Sequence, residues 1–237
     1  MIQRNLEPMI LDALKSKKII HIPGPRQVGK TTLLDRISPL LQKPILWLNG
    51  DEADVRSQFE NPTSTQLKRF IGNHKTLIID EAQRIENIGL VLKLIIDNIK
   101  PLDIIVSGSS AFELSSKINE PLTGRKIDLF LYPLSFEELV NHTSLLEEKR
   151  LLENRMIYGS YPEVITSIGN EKNILKGLTD AYLYKDIFAL GYIKKPSLIE
   201  KLLQALALQL GSEVSYNELS RLVGANNETV ETYINYL

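Results

Sequence analysis

The stretch IIHIPGPRQVGKTTLL, residues 19–34, decides how the rest of the chain is read: an apolar strand runs into a glycine-bounded loop and then into a helix. Gly24, four residues, Gly29, Lys30 and Thr31 fit the phosphate-loop spacing GxxxxGK[ST], and the flanking strand and helix supply the context this pattern needs. The glycines let the backbone bend until successive N–H groups face one anion, and the helix start adds partial positive charge. The expected nucleotide-binding set is Gly24, Pro25, Arg26, Gln27, Val28, Gly29, Lys30, Thr31 and Thr32. Lys30 is expected on the β and γ phosphates, and Thr31 on Mg²⁺, which takes few protein ligands. Without a second motif, the same residues would make an ordinary glycine turn with a surface lysine.

That second motif is the strand expected at 76–79, which ends in Asp80, Glu81, Ala82 and Gln83. A buried strand ending in two carboxylates suits a metal and a water: Asp80 holds Mg²⁺, and Glu81 polarises the water that attacks the γ-phosphate. A strand at 103–106 then leads into Ser107, Gly108, Ser109 and Ser110. In three-layer α/β folds ligands lie beyond the carboxyl ends of the strands, so Ser107 or Ser109 is placed to bond the γ-phosphate or its water. Capping of a helix starting near Ala111 is an equal and compatible use of these serines. Arg125 precedes a strand at 126–131. It is a candidate for stabilising transition-state charge, although an arginine at a loop edge more often pairs with a surface carboxylate. Asp51 and Glu52, after a strand at 45–48, read more simply as solvated loop acids.

The 237 residues suffice for one domain and part of another. A formal net charge of −1 gives no overall pull toward nucleic acid or acidic membranes. Absence of cysteine excludes disulfides and thiolate metal sites and suits a cytoplasmic setting. The first residues carry neither a signal-peptide core nor a membrane-length apolar run. They read as an amphipathic helix using Ile2, Leu6, Met9, Ile10, Ala13 and Leu14.

Further helices are expected at 31–41, 65–72 and 89–99. From about Leu134 the pattern is helical, with segments at 145–158, 171–190 and 197–211. Ser135 with Glu138, and Ser215 with Glu218, are spaced as capping boxes. The aromatic run Tyr182, Tyr184, Phe188 and Tyr192 is at helical spacing and reads as packing. Helix, glycine turn at Gly224 and helix resemble a helix-turn-helix, but the second helix, NNETVETYINYL, has no Lys or Arg and would contact DNA phosphates poorly. Because the chain stops on an apolar position, Leu237 is expected not to be a natural domain end.

The sequence resembles the bacterial and archaeal AAA-type P-loop ATPases (AAA_14-like) that carry a C-terminal domain catalogued as DUF4143. GPRQVGKT is similar to that family's phosphate loop, LIIDEAQ to its Mg²⁺ and water-activating strand, and IIVSGSS to its sensor strand. LTGR followed by LYPLSFEEL, the turn YGSYPEV and the helix YLYKDIF carry the likeness onward. The resemblance implies a three-layer α/β fold with a parallel central sheet at 1–140, a helical region at 141–211 and the start of a winged-helix-like unit at 212–237. It also implies ATP rather than GTP, a sensor strand between the other two motif strands, and homo-oligomers, with Arg125 serving either its own subunit or a neighbour. The expected activity is Mg²⁺-dependent ATP hydrolysis coupled to switching or remodelling of a protein partner. The alternative is a nucleotide-gated binding module with negligible hydrolysis, with or without a link to DNA. A kinase, with Asp51 as base, fits the helical second half poorly.

Overall fold

The computed structural model describes residues 2–108, 121–182 and 196–236. Ser109, the helix expected from Ala111, and the positions Tyr184, Phe188, Tyr192 and Leu237 lie outside these residues. The chain divides into two compact units, Met1–Leu175 and Lys176–Leu237.

The first unit is built on a five-stranded parallel sheet: β1 (Ile19–Pro23), β2 (Ile45–Asn49), β3 (Thr76–Asp80), β4 (Asp103–Gly108) and β5 (Lys126–Asp128). Their spatial order is β2-β3-β4-β1-β5. The three inner strands read IIHIP, TLIID and DIIVSG and are buried at every position, as expected of strands covered on both faces. On one face Ile20, Ile22, Ile78 and Ile105 pack with Ile10 of α1 (Leu6–Ala13) and with Leu33, Leu34 and Ile37 of α2 (Lys30–Ile37). The other face carries Ile19, Leu77, Ile79, Ile104 and Val106. They meet Val55 of α3 (Ala53–Gln58), Leu67 and Ile71 of α4 (Ser64–Ile71), and Val91, Leu92 and Ile95 of α5 (Ile88–Asn98). The alternation along each strand thus sorts one residue set into two cores.

Because β1 lies between β4 and β5, the chain leaves it in one direction for β2 and returns to its other side only at β5. Ligands in such sheets sit where the strand order reverses, at the carboxyl ends. In register, Pro23 faces Gly108, and Asn49 faces Asp80, so the ends of the motif strands are level with one another.

Several elements differ from expectation. The helix foreseen at 31–41 stops at Ile37 and tightens into a 3₁₀ turn over Ser38–Leu40, where Pro39 has no N–H to continue it. A cap formed by Thr63 and Gln66 starts α4, and α3 has no counterpart in the sequence reading. β5 ends at Asp128, yet Leu129 and Leu131 still donate to His21 and Pro23 carbonyls at 2.8 and 2.9 Å. Ser135 and Glu138 form the expected capping box on the helix Phe136–His142. The single helix expected at 145–158 is two, Leu145–Arg150 and Leu152–Tyr158.

In the second unit, helices Pro196–Ala207, Tyr216–Val223 and Asn227–Tyr236 share a core of Leu198, Ile199, Leu202, Leu219, Val223, Val230 and Tyr233. Ser215 makes no side-chain cap, contrary to the box expected with Glu218. It is exposed, so water can serve the N–H groups there. Gly224, at φ +72°, closes the middle helix, with the N–H groups of Gly224 and Ala225 on the Ser220 carbonyl.

Candidate nucleotide site

The loop from Gly24 to Gly29 joins β1 to α2 and owes its path to close backbone approaches. A Cβ at Gly24 would lie 2.4 Å from the Leu131 carbonyl oxygen, so no other residue fits there without displacing the strand beside it. The Gly24 N–H donates to Gly108 O at 3.3 Å, tying the loop to the end of β4. Gln27 at φ +57° and Gly29 at φ +97° take the left-handed conformations that curl successive N–H groups into an anion-binding concavity. Gly29 is the cap residue of α2 and offers no side-chain acceptor, leaving the first helical N–H groups for a ligand.

Lys30 is buried, and its ammonium donates to the Gly24 and Pro25 carbonyls at 2.8 Å each. One residue on, the Thr31 hydroxyl donates to Asp80 Oδ2 at 2.6 Å. Asp80 ends β3 and is 3% exposed. Its other oxygen accepts the hydroxyl of the fully buried Ser107, from β4, and the Glu81 N–H at 3.0 Å. Three segments remote in sequence therefore meet on one carboxylate, and β4 lies between β1 and β3 as the resemblance implies. A carboxylate beside a threonine hydroxyl is a hard-oxygen donor pair of the kind that suits Mg²⁺, an ion that keeps waters and takes its remaining oxygens from phosphates. Among the described residues no group of three or more His, Cys, Asp or Glu could hold a metal.

Glu81 leaves β3 in the left-handed region at φ +51°, a conformation that costs a non-glycine residue of order 1 kcal/mol or more. Its carboxylate accepts from Gln83 Nε2 at 2.5 Å. Nothing in the motif's spacing assigns a role to Gln83.

Arg125 is not brought to this cluster. Its carbonyl accepts the Ile19 N–H at the amino end of β1, about 13 Å of strand away from Pro23. Its guanidinium forks onto Asp97 at 2.9 and 3.2 Å, which holds the Asp97 carboxyl below its ordinary range. A role for Arg125 in its own subunit's site is therefore corrected: β5 runs parallel to β1, so the loop before it lies at the amino end of the sheet, opposite the phosphate loop. Asp51 likewise sits exposed, 3.3 Å from Arg84, as a loop ion pair.

A residue that sequence reasoning passed over stands against the loop. Arg4 is buried and contacts the loop, the segment after β5 and Glu138 together. Its only sequence signal is an arginine just before the first helix, among apolar positions.

A family described as an AAA domain (AAA_14) matches residues 16–140, and a domain of unknown function, DUF8612, matches 149–237. The second match replaces the DUF4143 domain that the resemblance implied. An uncharacterized protein of Haemophilus influenzae is 27% identical over 91% of this chain and 59% of its own length. Another, of Mycobacterium tuberculosis, is 25% identical over 99% of this chain and 51% of its own. The chain thus spans between half and three fifths of these curated relatives. Among solved structures, the Walker-type ATPase of Pyrococcus abyssi superposes with a TM-score of 0.54 at 15% identity, over 97% of this chain and 89% of that one. That likeness speaks to the fold, a P-loop NTPase sheet with helices and a helical C-terminal region. With more than half of its residues matched, the chain belongs to the AAA-domain family.

Proposed function

We propose that this chain binds ATP with Mg²⁺ and hydrolyses its β–γ phosphoanhydride. The observation that carries the reading is the meeting of Thr31 and Ser107 on Asp80, directly beyond the glycine loop and Lys30. Thr31 and Asp80 would hold Mg²⁺, which would supply positive charge beside the phosphates. Lys30 exchanges its two loop carbonyls for phosphate oxygens, and the loop N–H groups hold the anion. Ser107, with a hydroxyl free to rotate, can turn from Asp80 toward the γ-phosphate. Glu81 takes the proton from the attacking water, and Gln83 sets the direction of its carboxylate. Ser109 stays a candidate from its place in the motif.

A second reading, a nucleotide-gated switch that hardly turns over, is favoured by a specific feature: Lys30 and Glu81 both rest on partners within the protein. Turnover would then need a partner protein or a neighbouring subunit, for which Arg125 is the candidate donor in trans. DNA as that partner is poorly supported, because the helix Asn227–Tyr236 exposes Glu228 and Glu231 and carries no Lys or Arg. Among the described residues no helix is long and apolar enough to cross a membrane. The cytoplasmic setting we propose rests on the absence of cysteine.

Mg-ATP hydrolysis by the wild type and Glu81→Gln, with thermal melting of both, tests the reading. Ligand at a hundred times its Kd stabilises by about 2.7 kcal/mol. The expected result is that both proteins melt later with nucleotide and only the wild type turns over. If neither is stabilised, the nucleotide site is refuted; if both are stabilised and neither hydrolyses, the switch reading holds.

A further inference from the structure

We infer that Arg4 is the positioning residue that sets the phosphate loop for its anion, an inference resting on the nucleotide reading above. The Arg4 Nη1 donates to the Val28 carbonyl at 3.0 Å. A trans peptide is planar with its C=O and the following N–H pointing oppositely. Drawing the Val28 oxygen toward Arg4 therefore turns the Gly29 N–H away from Arg4. Gly29 is the cap of α2, so this N–H belongs to the set that opens at the helix start. Flipping that peptide would put a carbonyl oxygen where the anion needs a donor.

The guanidinium is itself held from two further sides. Its Nη2 donates to the Tyr132 carbonyl, and its Nε donates to Glu138 Oε1 at 3.1 Å. Glu138 is committed as well: Oε1 takes the Asn5 N–H at 2.7 Å and Oε2 the Ser135 N–H at 2.8 Å. Both sides of this ion pair are nearly sealed from water, at 8% and 6% side-chain exposure. In that setting a planar fork with fixed donor directions holds the loop in one orientation. The Nη1 also lies 3.8 Å from where a Cβ on Gly29 would stand, so the brace runs in van der Waals range of the loop's last glycine. Lysine carries its three donors on a single nitrogen and lacks the rigid plane that aims Nε, Nη1 and Nη2 separately at Glu138, Val28 and Tyr132.

A merely structural arginine would move melting temperature and nothing else, so the test reads the loop directly. Amide hydrogen exchange of the nucleotide-free protein is compared for wild type, Arg4→Lys, Arg4→Met and Glu138→Gln, together with the Kd for Mg-ADP and the kcat and KM for Mg-ATP. We expect exchange across residues 24–31 to rise at least tenfold in both Arg4 variants while β3 and β4 keep their protection. The Mg-ADP Kd and the KM should rise tenfold or more, with kcat changed less than threefold. Should Arg4→Met fail to fold, Arg4→Lys and Glu138→Gln carry the same comparison. Unchanged loop exchange in folded variants overturns the inference, as does faster exchange spread evenly over the sheet. A wild type that binds no Mg-ADP would instead refute the nucleotide reading, while the loop exchange would still decide the role of Arg4.

Discussion

At the carboxyl ends of β1, β3 and β4, Thr31 and Ser107 both bond to Asp80, and Asp80, Ser107 and the neighbouring Lys30 are shielded from solvent. At the amino ends of the same strands, charged residues pair too, Arg125 with Asp97 and Lys17 with Asp103, but Arg125, Asp97 and Lys17 are open to water. Like residue types thus have opposite standing at the two ends. Exposed pairs are screened and exchange freely with solvent, whereas a buried carboxylate that collects two hydroxyls and an N–H is fixed by everything that would be left unpaired if it moved. Burial makes the difference: Asp80 and Ser107 are strand residues sealed in the sheet, whereas Arg125, Asp97 and Lys17 stand in loops and at a helix end that face water.

The largest effects are expected from breaking the carboxyl end. Lys30→Ala and Asp80→Ala should each lower Mg-ATP hydrolysis by about 10²-fold to 10³-fold, the scale on which one preorganised charge contact acts in a buried site. Asp80→Ala should also cost about 1–3 kcal/mol of stability, because the Thr31 and Ser107 hydroxyls lose their acceptor; urea unfolding measures this. An Asp80→Ala protein that hydrolyses at the wild-type rate would remove the distinction between the two ends.

Next comes Gly24→Ala. Its methyl group would overlap the Leu131 carbonyl, and over-packing of this kind costs about 1–3 kcal/mol. A lower urea midpoint together with weaker Mg-ADP binding is expected. Weaker binding at unchanged stability would mean that the loop, and not the strand beside it, gives way.

Between the two ends, in the middle of β1, His21 supplies a pH test. Burial depresses its pKa, against the opposing pull of Asp128, whose carboxylate meets Nδ1 at 2.7 Å. No hydrogen-bond partner reaches its Nε2 among the described residues. A histidine whose folded pKa lies below the unfolded value of about 6.5 favours the neutral form in the fold. Its stabilisation is complete above that pH and is lost as the pH falls through the folded pKa, with a slope of at most about 1.4 kcal/mol per pH unit. Burial alone would raise the pKa of Asp128, but hydrogen bonds from Lys126 and His21 outweigh it and lower the value, so its own loss falls at more acid pH. Urea midpoints between pH 7 and 5 should fall for the wild type and fall less for His21→Gln; equal slopes would show that His21 titrates alike in the folded and unfolded states, so that burial does not depress its pKa.

What the sequence disclosed follows the same division. Lys30, Thr31, Asp80 and Ser107 were legible because each stands at a fixed offset from an apolar run that can only be a buried strand. Arg4 and Gln83 were not, since what they do depends on which segments the fold brings beside them. Spacing also gave the wrong address for Arg125. The strand after it runs parallel to β1, so the loop before it lies at the amino end of the sheet whatever the strand's length. Ser215 shows the limit from another side: the S-x-x-E pattern is present, but an exposed helix start need not use it.

The smallest effect is therefore expected from Arg125→Ala, and it is the sharpest probe of the comparison. In dilute, monomeric protein the substitution should leave the melting temperature and the Mg-ADP Kd within error, because Arg125 meets an exposed partner and lies a strand's length from the loop. Wild type and variant are then measured at rising protein concentration, following Mg-ATP turnover and oligomer size together. If turnover of the wild type climbs with assembly and that of Arg125→Ala does not, the amino end of one subunit completes the carboxyl end of another, and the contrast between the ends becomes a division of labour. If the two curves coincide, Arg125 serves Asp97 alone, and all of the chemistry belongs to the end where the three strands meet.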